Sequence, residues 1–162
     1  MSEKTDERKC LAVVKVRGTI SAQREARETL EMLRLARTNH AVLVDNRPSY
    51  MGMLHRVQNY VTWGEVSKET VALLLKKRGR LAGNKKLTDE YAQKIGYKSL
   101  DALAEAIASC KVEYQKLLNV QPVFKLPPPS KGFKGKTKKG YSAGGEAGYR
   151  GEKINELIKR MA

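Results

Sequence analysis

The pattern of apolar and polar positions in the first 66 residues alternates between strand-like runs and helix-like spacing. Aliphatic and β-branched residues at 11–16, 41–44 and 60–66 predict three strands. Between these runs, apolar residues recur every three or four positions, which places them on one face of a helix. The pattern therefore predicts the order β-α-β-α-β for residues 10–66. Because each helix has a single apolar stripe to bury, both helices should cover one face of a small three-stranded sheet in an α+β fold.

Helical spacing continues through residues 67–119, where Ser67 and Ser99 are suitable N-caps. This region is predicted to be a helical insertion that packs on the core. Residues 120–151 lack periodic apolar positions and predict an extended basic segment. Residues 152–162 again carry an apolar stripe, which predicts a C-terminal helix that docks on the rest of the protein.

The composition of residues 125–151 differs most from that of the rest of the chain. This segment holds seven of the thirteen glycines, three consecutive prolines and six lysines, and no carboxylate lies between Glu113 and Glu146. Such a segment buries too little apolar area to offset the roughly 1–2 kcal/mol per residue lost on ordering its backbone. We therefore expect residues 125–151 to be structureless in the free protein and to become ordered on a partner.

The excess of positive charge identifies the class of that partner. The chain carries a formal charge of +15, and the net charge rises from +3 in residues 1–66 to +5 in 67–119 and +7 in 120–162. Nucleic acid supplies regularly spaced negative charge, and Phe133 and Tyr141 are rings that could stack on its bases. The alternative is a solvated basic tail that only assists solubility.

Other basic residues extend the predicted nucleic-acid interface beyond the tail. A basic loop at 76–86 runs past the end of its predicted helix, and Lys15, Arg17, Arg24 and Arg47 lie at strand or helix ends that should converge on one edge of the fold. The candidate nucleic-acid-binding residues are Lys15, Arg17, Arg24, Arg47, His55, Arg56, Lys76, Lys77, Arg78, Arg80, Lys85, Lys86, Lys125, Lys131, Phe133, Lys134, Lys136, Lys138, Lys139 and Tyr141.

The sequence offers little support for catalysis, a metal or a cofactor. Cys10 and Cys110 are the only cysteines, and neither has a partner at metal-binding spacing. The tripeptide at 135–137 imitates the end of a P-loop, but Ser130 stands where the pattern needs glycine. The charged residues 1–9 lack the apolar stretch of a signal peptide. We expect no cofactor, no metal, no small-molecule substrate and no membrane partner.

Three stretches together resemble a known protein family. They are Arg47-Pro48-Ser49-Tyr50-Met51-Gly52-Met53-Leu54 in the second helix, Pro122-Val123-Phe124 through Lys134-Gly135 in the tail, and Gly151-Glu152-Lys153-Ile154-Asn155 before the last helix. The chain resembles the large-subunit ribosomal protein family called L-thirty in bacteria and archaea and L-seven in eukaryotes. The resemblance covers residues 10–162, and the length and insertion are similar to those of archaeal members.

This resemblance implies a fold related to the ferredoxin-like arrangement and a non-enzymatic function. The protein would be a cytoplasmic, structural constituent of the large ribosomal subunit, with large-subunit ribosomal RNA and neighbouring ribosomal proteins as partners. One alternative is an extra-ribosomal RNA chaperone or RNA-binding regulator that only shares the fold. A second alternative, an enzyme that modifies RNA, would need a convergent set of titratable residues, and the sequence shows none.

Overall fold

A single sheet runs through the part of the chain described by the computed structural model, residues 8–162. Most of the predicted N-terminal segment 1–9 lies outside these residues. The strands are β1 (Cys10–Lys15), β2 (His40–Asp45), β3 (Val61–Glu65), β4 (Phe124–Lys125), β5 (Lys136–Gly140) and β6 (Gly145–Tyr149). The helices are α1 (Arg24–Met32), α2 (Pro48–Arg56), α3 (Lys68–Arg78), α4 (Asp89–Lys94), α5 (Leu100–Ala108) and α6 (Ile154–Met161). None of these helices is long and apolar enough to cross a lipid bilayer.

The three predicted strands form the centre of the sheet. The strand order is β4-β2-β1-β3-β6-β5, with β1 antiparallel to both β2 and β3. The predicted α+β class and the β-α-β-α-β order are therefore confirmed, although the described sheet has six strands where the sequence predicts three. The additional strands join the two outer edges.

The two faces of the sheet carry separate apolar cores. On the first face, Leu11 and Val13 of β1 pack with Leu30 of α1, Leu54 of α2 and Trp63 of β3, and we call this the first core. Both early helices thus cover the same face, as predicted. Trp63 is only 2% exposed, so its ring is part of this core.

The insertion and the C-terminal helix cover the opposite face. Ala12 and Val14 of β1 pack there with Val71, Leu103 and Ile158, and we call this cluster the second core. The complete apolar stripe of α6, formed by Ile154, Leu157, Ile158 and Met161, is buried in it. Because β1 is covered on both faces, its sequence is a continuous apolar run and does not alternate.

Side-chain caps fix the starts of two insertion helices. Ser67 Oγ accepts a hydrogen bond from the Thr70 backbone N–H at 3.3 Å, and Ser99 Oγ accepts one from Ala102 at 3.4 Å. Each cap satisfies an N–H group that has no partner within its helix. Both predicted caps are therefore confirmed.

The prediction that residues 125–151 have no regular structure is wrong for part of that segment. Within it, β6 pairs in parallel with β3, through Thr62 opposite Gly148 and Trp63 opposite Tyr149, and β5 pairs with β6. The prediction counted apolar side chains only. Backbone hydrogen bonds to a free sheet edge, and the burial of Ala147 in the second core, contribute stability that this count omits.

Candidate nucleic-acid interface

The lysines of the basic segment all lie at the protein surface. Strand β5 is the last strand of the sheet, so its outer edge is open, and its side chains at 136, 138 and 139 are exposed. The remaining lysines of the segment, Lys125, Lys131 and Lys134, are also exposed. Within residues 8–162, none of the six forms an ion pair with a carboxylate. Their positive charge is therefore available to an external polyanion.

A buried ion pair holds this exposed edge against the sheet. The Arg150 guanidinium and the Glu146 carboxylate are 2.6 Å apart, and the two residues are only 9% and 5% exposed. Arg150 Nε also donates to Thr62 Oγ1 at 2.7 Å, and Glu146 Oε1 accepts from the Gly135 backbone N–H at 2.7 Å. These bonds connect β3, β6 and the approach to β5, and we call them the Glu146–Arg150 clamp.

The entry to the segment is held by the last helix. Arg160 of α6 donates to the carbonyl oxygen of Ser130 at 2.9 Å and also to that of Gly132. The Ser130 N–H donates to the Arg160 carbonyl at 3.0 Å. Pro129 is buried beside this turn. The basic segment is therefore fixed at both of its ends.

The rings of the segment differ sharply in their surroundings. Phe133 is half-buried and packs against the second core, so little of its ring is free to stack on a base. Tyr141 is 37% exposed, and the Arg150 guanidinium lies 4.9 Å from its ring centroid. Of the two candidate rings, Tyr141 is the one that the fold presents to a ligand.

Tyr149 is an exposed ring that the sequence analysis did not identify. It is 53% exposed, lies beside Trp63 and donates to both carboxylate oxygens of Glu65 at 2.7 and 2.8 Å. This hydrogen bond, together with partial burial, raises the pKa of Tyr149 to about 12. Gly148, with φ of +92°, separates Tyr149, which lies beside Trp63 of the first core, from Ala147, which is buried in the second core. In the sequence, the glycine directly before Tyr149 was the feature that could have indicated an exposed ring, because glycine adopts positive φ without strain.

The basic residues of the front half do not converge as expected. Because β1 and β2 are antiparallel, Arg47 after β2 lies at the opposite end of the sheet from Lys15 and Arg17. Lys15 is also buried, and its Nζ donates to Thr19 Oγ1 at 3.3 Å and to the Ala36 carbonyl at 3.2 Å. Burial lowers the pKa of Lys15. The expected convergence is wrong, and Lys15 has a structural role inside the fold.

Internal partners also engage several front-half arginines. Arg47 forms ion pairs with Asp45, at 2.6 Å, and with Glu113, and hydrogen bonds to these carboxylates raise its pKa. Arg24 pairs with Glu28 at 2.8 Å. Arg17 lies over a tyrosine ring at 5.6 Å, whereas His55 and Arg56 on α2 remain exposed. The front half therefore presents fewer free cations than its sequence indicates.

The basic loop after α3 keeps more of its charge free. Lys77, Lys85 and Lys86 are exposed, and a β-bridge between Arg80 and Lys86 gives the loop a hairpin form. Other residues here have internal contacts: Lys76 pairs with Asp101 at 2.9 Å, Arg78 is half-buried, and Arg80 donates to the carbonyl of Gly79 at 2.9 Å.

The described residues contain no group of three or more histidine, cysteine or acidic side chains that could hold a metal ion. The cavity that contains Cys10 and Cys110 has a volume of about 30 Å³, which is room for little more than a water molecule.

Comparisons with known proteins agree with this architecture. The family model described as ribosomal protein L30p/L7e matches residues 11–61. Proteins named large ribosomal subunit protein uL30 are similar over nearly the whole chain. The relative from Thermofilum pendens is 51% identical over 92% of this chain and 96% of its own, and the one from Archaeoglobus fulgidus is 47% identical over 93% and 98%. A third, from Methanopyrus kandleri, is 45% identical over 90% and 99%. Since the similarity extends across the core, the insertion and the tail of relatives from archaea, this chain belongs to the ribosomal protein L30p/L7e family.

Proposed function

We propose that this protein is a structural constituent of the large ribosomal subunit that binds and stabilises ribosomal RNA, in contact with neighbouring ribosomal proteins. The observation that carries the proposal is the similarity, over more than nine-tenths of the chain, to relatives named for that subunit. The exposed lysines of residues 125–139 support it, because they have no acidic partner within residues 8–162. Lys136, Lys138 and Lys139 lie on β5 at one edge of the sheet, and Lys125 lies on β4 at the other edge.

The mechanism assigned to this surface is neutralisation of phosphate charge. Lysines on an ordered strand stay spread along the backbone, so they can meet successive phosphates where RNA segments crowd together. Because this strand is already ordered in the free protein, binding loses less conformational entropy than it would with a flexible segment. Recognition of this kind depends on RNA shape and charge more than on base identity.

Salt dependence of RNA binding tests the role of the segment. If all six lysines reach phosphates, log K should fall with log salt with a slope of about −4 to −5 from this segment alone. Replacing the six lysines by glutamine should remove that part of the slope. The six positions are Lys125, Lys131, Lys134, Lys136, Lys138 and Lys139.

A control variant of equal charge change separates local contacts from net charge. Its substitutions to glutamine are at exposed cations outside the candidate set, Arg27, Arg34, Arg37, Lys94, Lys98 and Lys111. The control should keep most of the salt slope for isolated large-subunit RNA. Equal slopes for the two variants would contradict the assigned role of the segment.

Sedimentation distinguishes a subunit constituent from a free RNA chaperone. A constituent should co-sediment with the large subunit of cell extract at both moderate and high salt. A chaperone or regulator would bind RNA saturably and remain near the top of the gradient, and that result would contradict the proposal.

A further inference from the structure

A groove lies between the single-turn helix Tyr141–Ala143 and helix α6. Its volume is about 540 Å³, within the range of roughly 300–1,000 Å³ that is typical of pockets for small organic ligands. The side chains of Lys134, Tyr141, Arg150 and Arg160 line it. The groove therefore combines an aromatic ring with several cations.

The ring in this groove has a rigid support. Arg150, whose guanidinium lies 4.9 Å from the Tyr141 ring centroid, is held by the buried bonds of the Glu146–Arg150 clamp. A cation against one face of a ring is itself attractive, and here the cation cannot move away. Tyr141 is thus a platform fixed before any ligand arrives, although 37% of the residue stays exposed.

The charges around the groove favour an anion. Glu146 is neutralised by Arg150, and Glu156 lies 4.0 Å from Lys153. Lys134 and Arg160 have no carboxylate partner within residues 8–162. Among the residues that the structure describes, Arg160 donates to the backbone carbonyls of Ser130 and Gly132, which leave its charge uncompensated.

The wall opposite α6 includes three glycines, Gly135, Gly144 and Gly145. A Cβ atom on Gly135 would lie 2.6 Å from the Gly144 carbonyl oxygen, and one on Gly145 would lie 2.0 Å from that of Lys139. Both positions therefore require glycine. Backbone of residues 139 and 144–145 fills the space that these side chains would take, so this wall of the groove is closely packed main chain near Tyr141.

We propose that this groove holds one unpaired nucleotide of the bound RNA, with its base stacked on Tyr141 and a phosphate directed towards Lys134 and Arg160. The inference rests on the proposed RNA-binding function and adds a site that discriminates RNA by its pairing state. A base in a duplex is covered on both faces by its neighbours, so only an extruded or single-stranded base can stack on a ring.

Tyr149 offers a matched control within the same strand region. As a residue it is more exposed than Tyr141, but its hydroxyl is hydrogen-bonded to the Glu65 carboxylate. A negative charge beside the ring repels phosphate, so this ring should contribute little to RNA binding.

The test compares a single-stranded 12-nucleotide RNA of mixed sequence with the same strand in a fully paired duplex. Dissociation constants are measured by fluorescence anisotropy for the full chain and for Tyr141→Ala, Tyr141→Phe and Tyr149→Ala. Tyr141→Ala should weaken single-strand binding by about 5- to 150-fold and leave duplex binding unchanged. Tyr141→Phe, which keeps the ring, and Tyr149→Ala should both bind the single strand as the unmodified chain does.

Equal weakening of both RNAs by Tyr141→Ala, or no weakening, would overturn the groove assignment while leaving the proposed function intact. Failure of the unmodified chain to bind the single strand while it still binds isolated large-subunit RNA would also overturn the groove assignment, whereas failure to bind isolated large-subunit RNA would overturn the proposed function. A second measurement needs no variant: a 4-thiouridine-labelled single strand, cross-linked by ultraviolet light, should attach to Tyr141 in the tryptic peptide 140–150. Attachment at Tyr149, or outside this peptide, would contradict the proposal.

Discussion

Replacing Glu146 by glutamine should destabilise the protein far more than the same change at an exposed ion pair. The substitution removes the negative charge opposite Arg150, whose guanidinium is buried and has no other carboxylate partner within residues 8–162. It also perturbs the bond from the Gly135 N–H to Glu146 Oε1. Breaking a buried pair by removing one partner costs about 3–5 kcal/mol, because the remaining charge is left without compensation.

The chain contains a matched pair for comparison. Arg24 and Glu28 are also four residues apart, and their charged atoms are 2.8 Å apart, but their side chains are 86% and 56% exposed. An exposed pair of this kind contributes about 0.3–0.5 kcal/mol. Glu28→Gln should therefore change the free energy of unfolding by about a tenth of the effect of Glu146→Gln.

Urea denaturation and thermal unfolding measure both variants. At about 2–4 °C per kcal/mol for a chain of this size, Glu146→Gln should lower Tm by about 6–20 °C if the protein unfolds as one unit. If β5 and β6 open separately, hydrogen exchange should instead accelerate only in the amides of residues 135–150. The reasoning would be refuted if the Glu146→Gln and Glu28→Gln variants had unfolding free energies within about 1 kcal/mol of each other and similar exchange rates.

Two further predictions concern glycine and tyrosine. Gly145→Ala should destabilise the protein, because the added Cβ would lie 2.0 Å from the Lys139 carbonyl oxygen. Gly52→Ala, in α2 with open space around it, should instead stabilise the protein by about 0.5–1 kcal/mol. Urea denaturation measures both variants, and equal changes in the free energy of unfolding would contradict the close approach at Gly145. The bond to Glu65 raises the pKa of Tyr149 to about 12, so its contribution to stability is complete below about pH 10 and is lost as the pH rises through about 12. Tyr149→Phe should remove the part of the alkaline stability loss that comes from the Tyr149–Glu65 hydrogen bond. The free energy of unfolding is measured from pH 9 to 12.5 for both chains, and a parallel loss of stability in the two would contradict this role of Tyr149.

The parts of the fold that sequence predicts well are those with local signals. The β-α-β-α-β order follows from the spacing of apolar residues, and the caps at Ser67 and Ser99 follow from residue type and position. The strands at 136–140 and 145–149 have no such signal, because their stability comes from pairing with distant β3 and from a buried ion pair. Backbone pairing leaves little trace in side-chain composition.

In the candidate site, too, some features could be predicted from the sequence and others could not. Exposure of the six tail lysines agrees with their composition-based assignment, although RNA contact by these residues stays a prediction. Lys15 is buried because the strand that contains it is covered on both faces. The run of apolar residues before Lys15 was the feature of the sequence that indicated such a buried strand. Phe133 and Tyr141 are both rings in a basic segment, and only the three-dimensional structure shows that Phe133 packs against the second core while Arg150 supports Tyr141.

The pairing of β6 with β3 constrains the order in which the chain can complete its fold during synthesis. Thr62 and the Gly148 carbonyl that accepts its hydroxyl hydrogen bond are 86 residues apart in sequence. A nascent chain that has emerged only to residue 144 contains the central strands but leaves one edge of β3 unpaired, and it lacks the helix that buries Ile154 and Ile158. Unpaired edges and uncovered apolar faces are where chains aggregate. A chain that stops at residue 144 therefore exposes a strand edge and an apolar face that residues 145–161 cover in the folded protein.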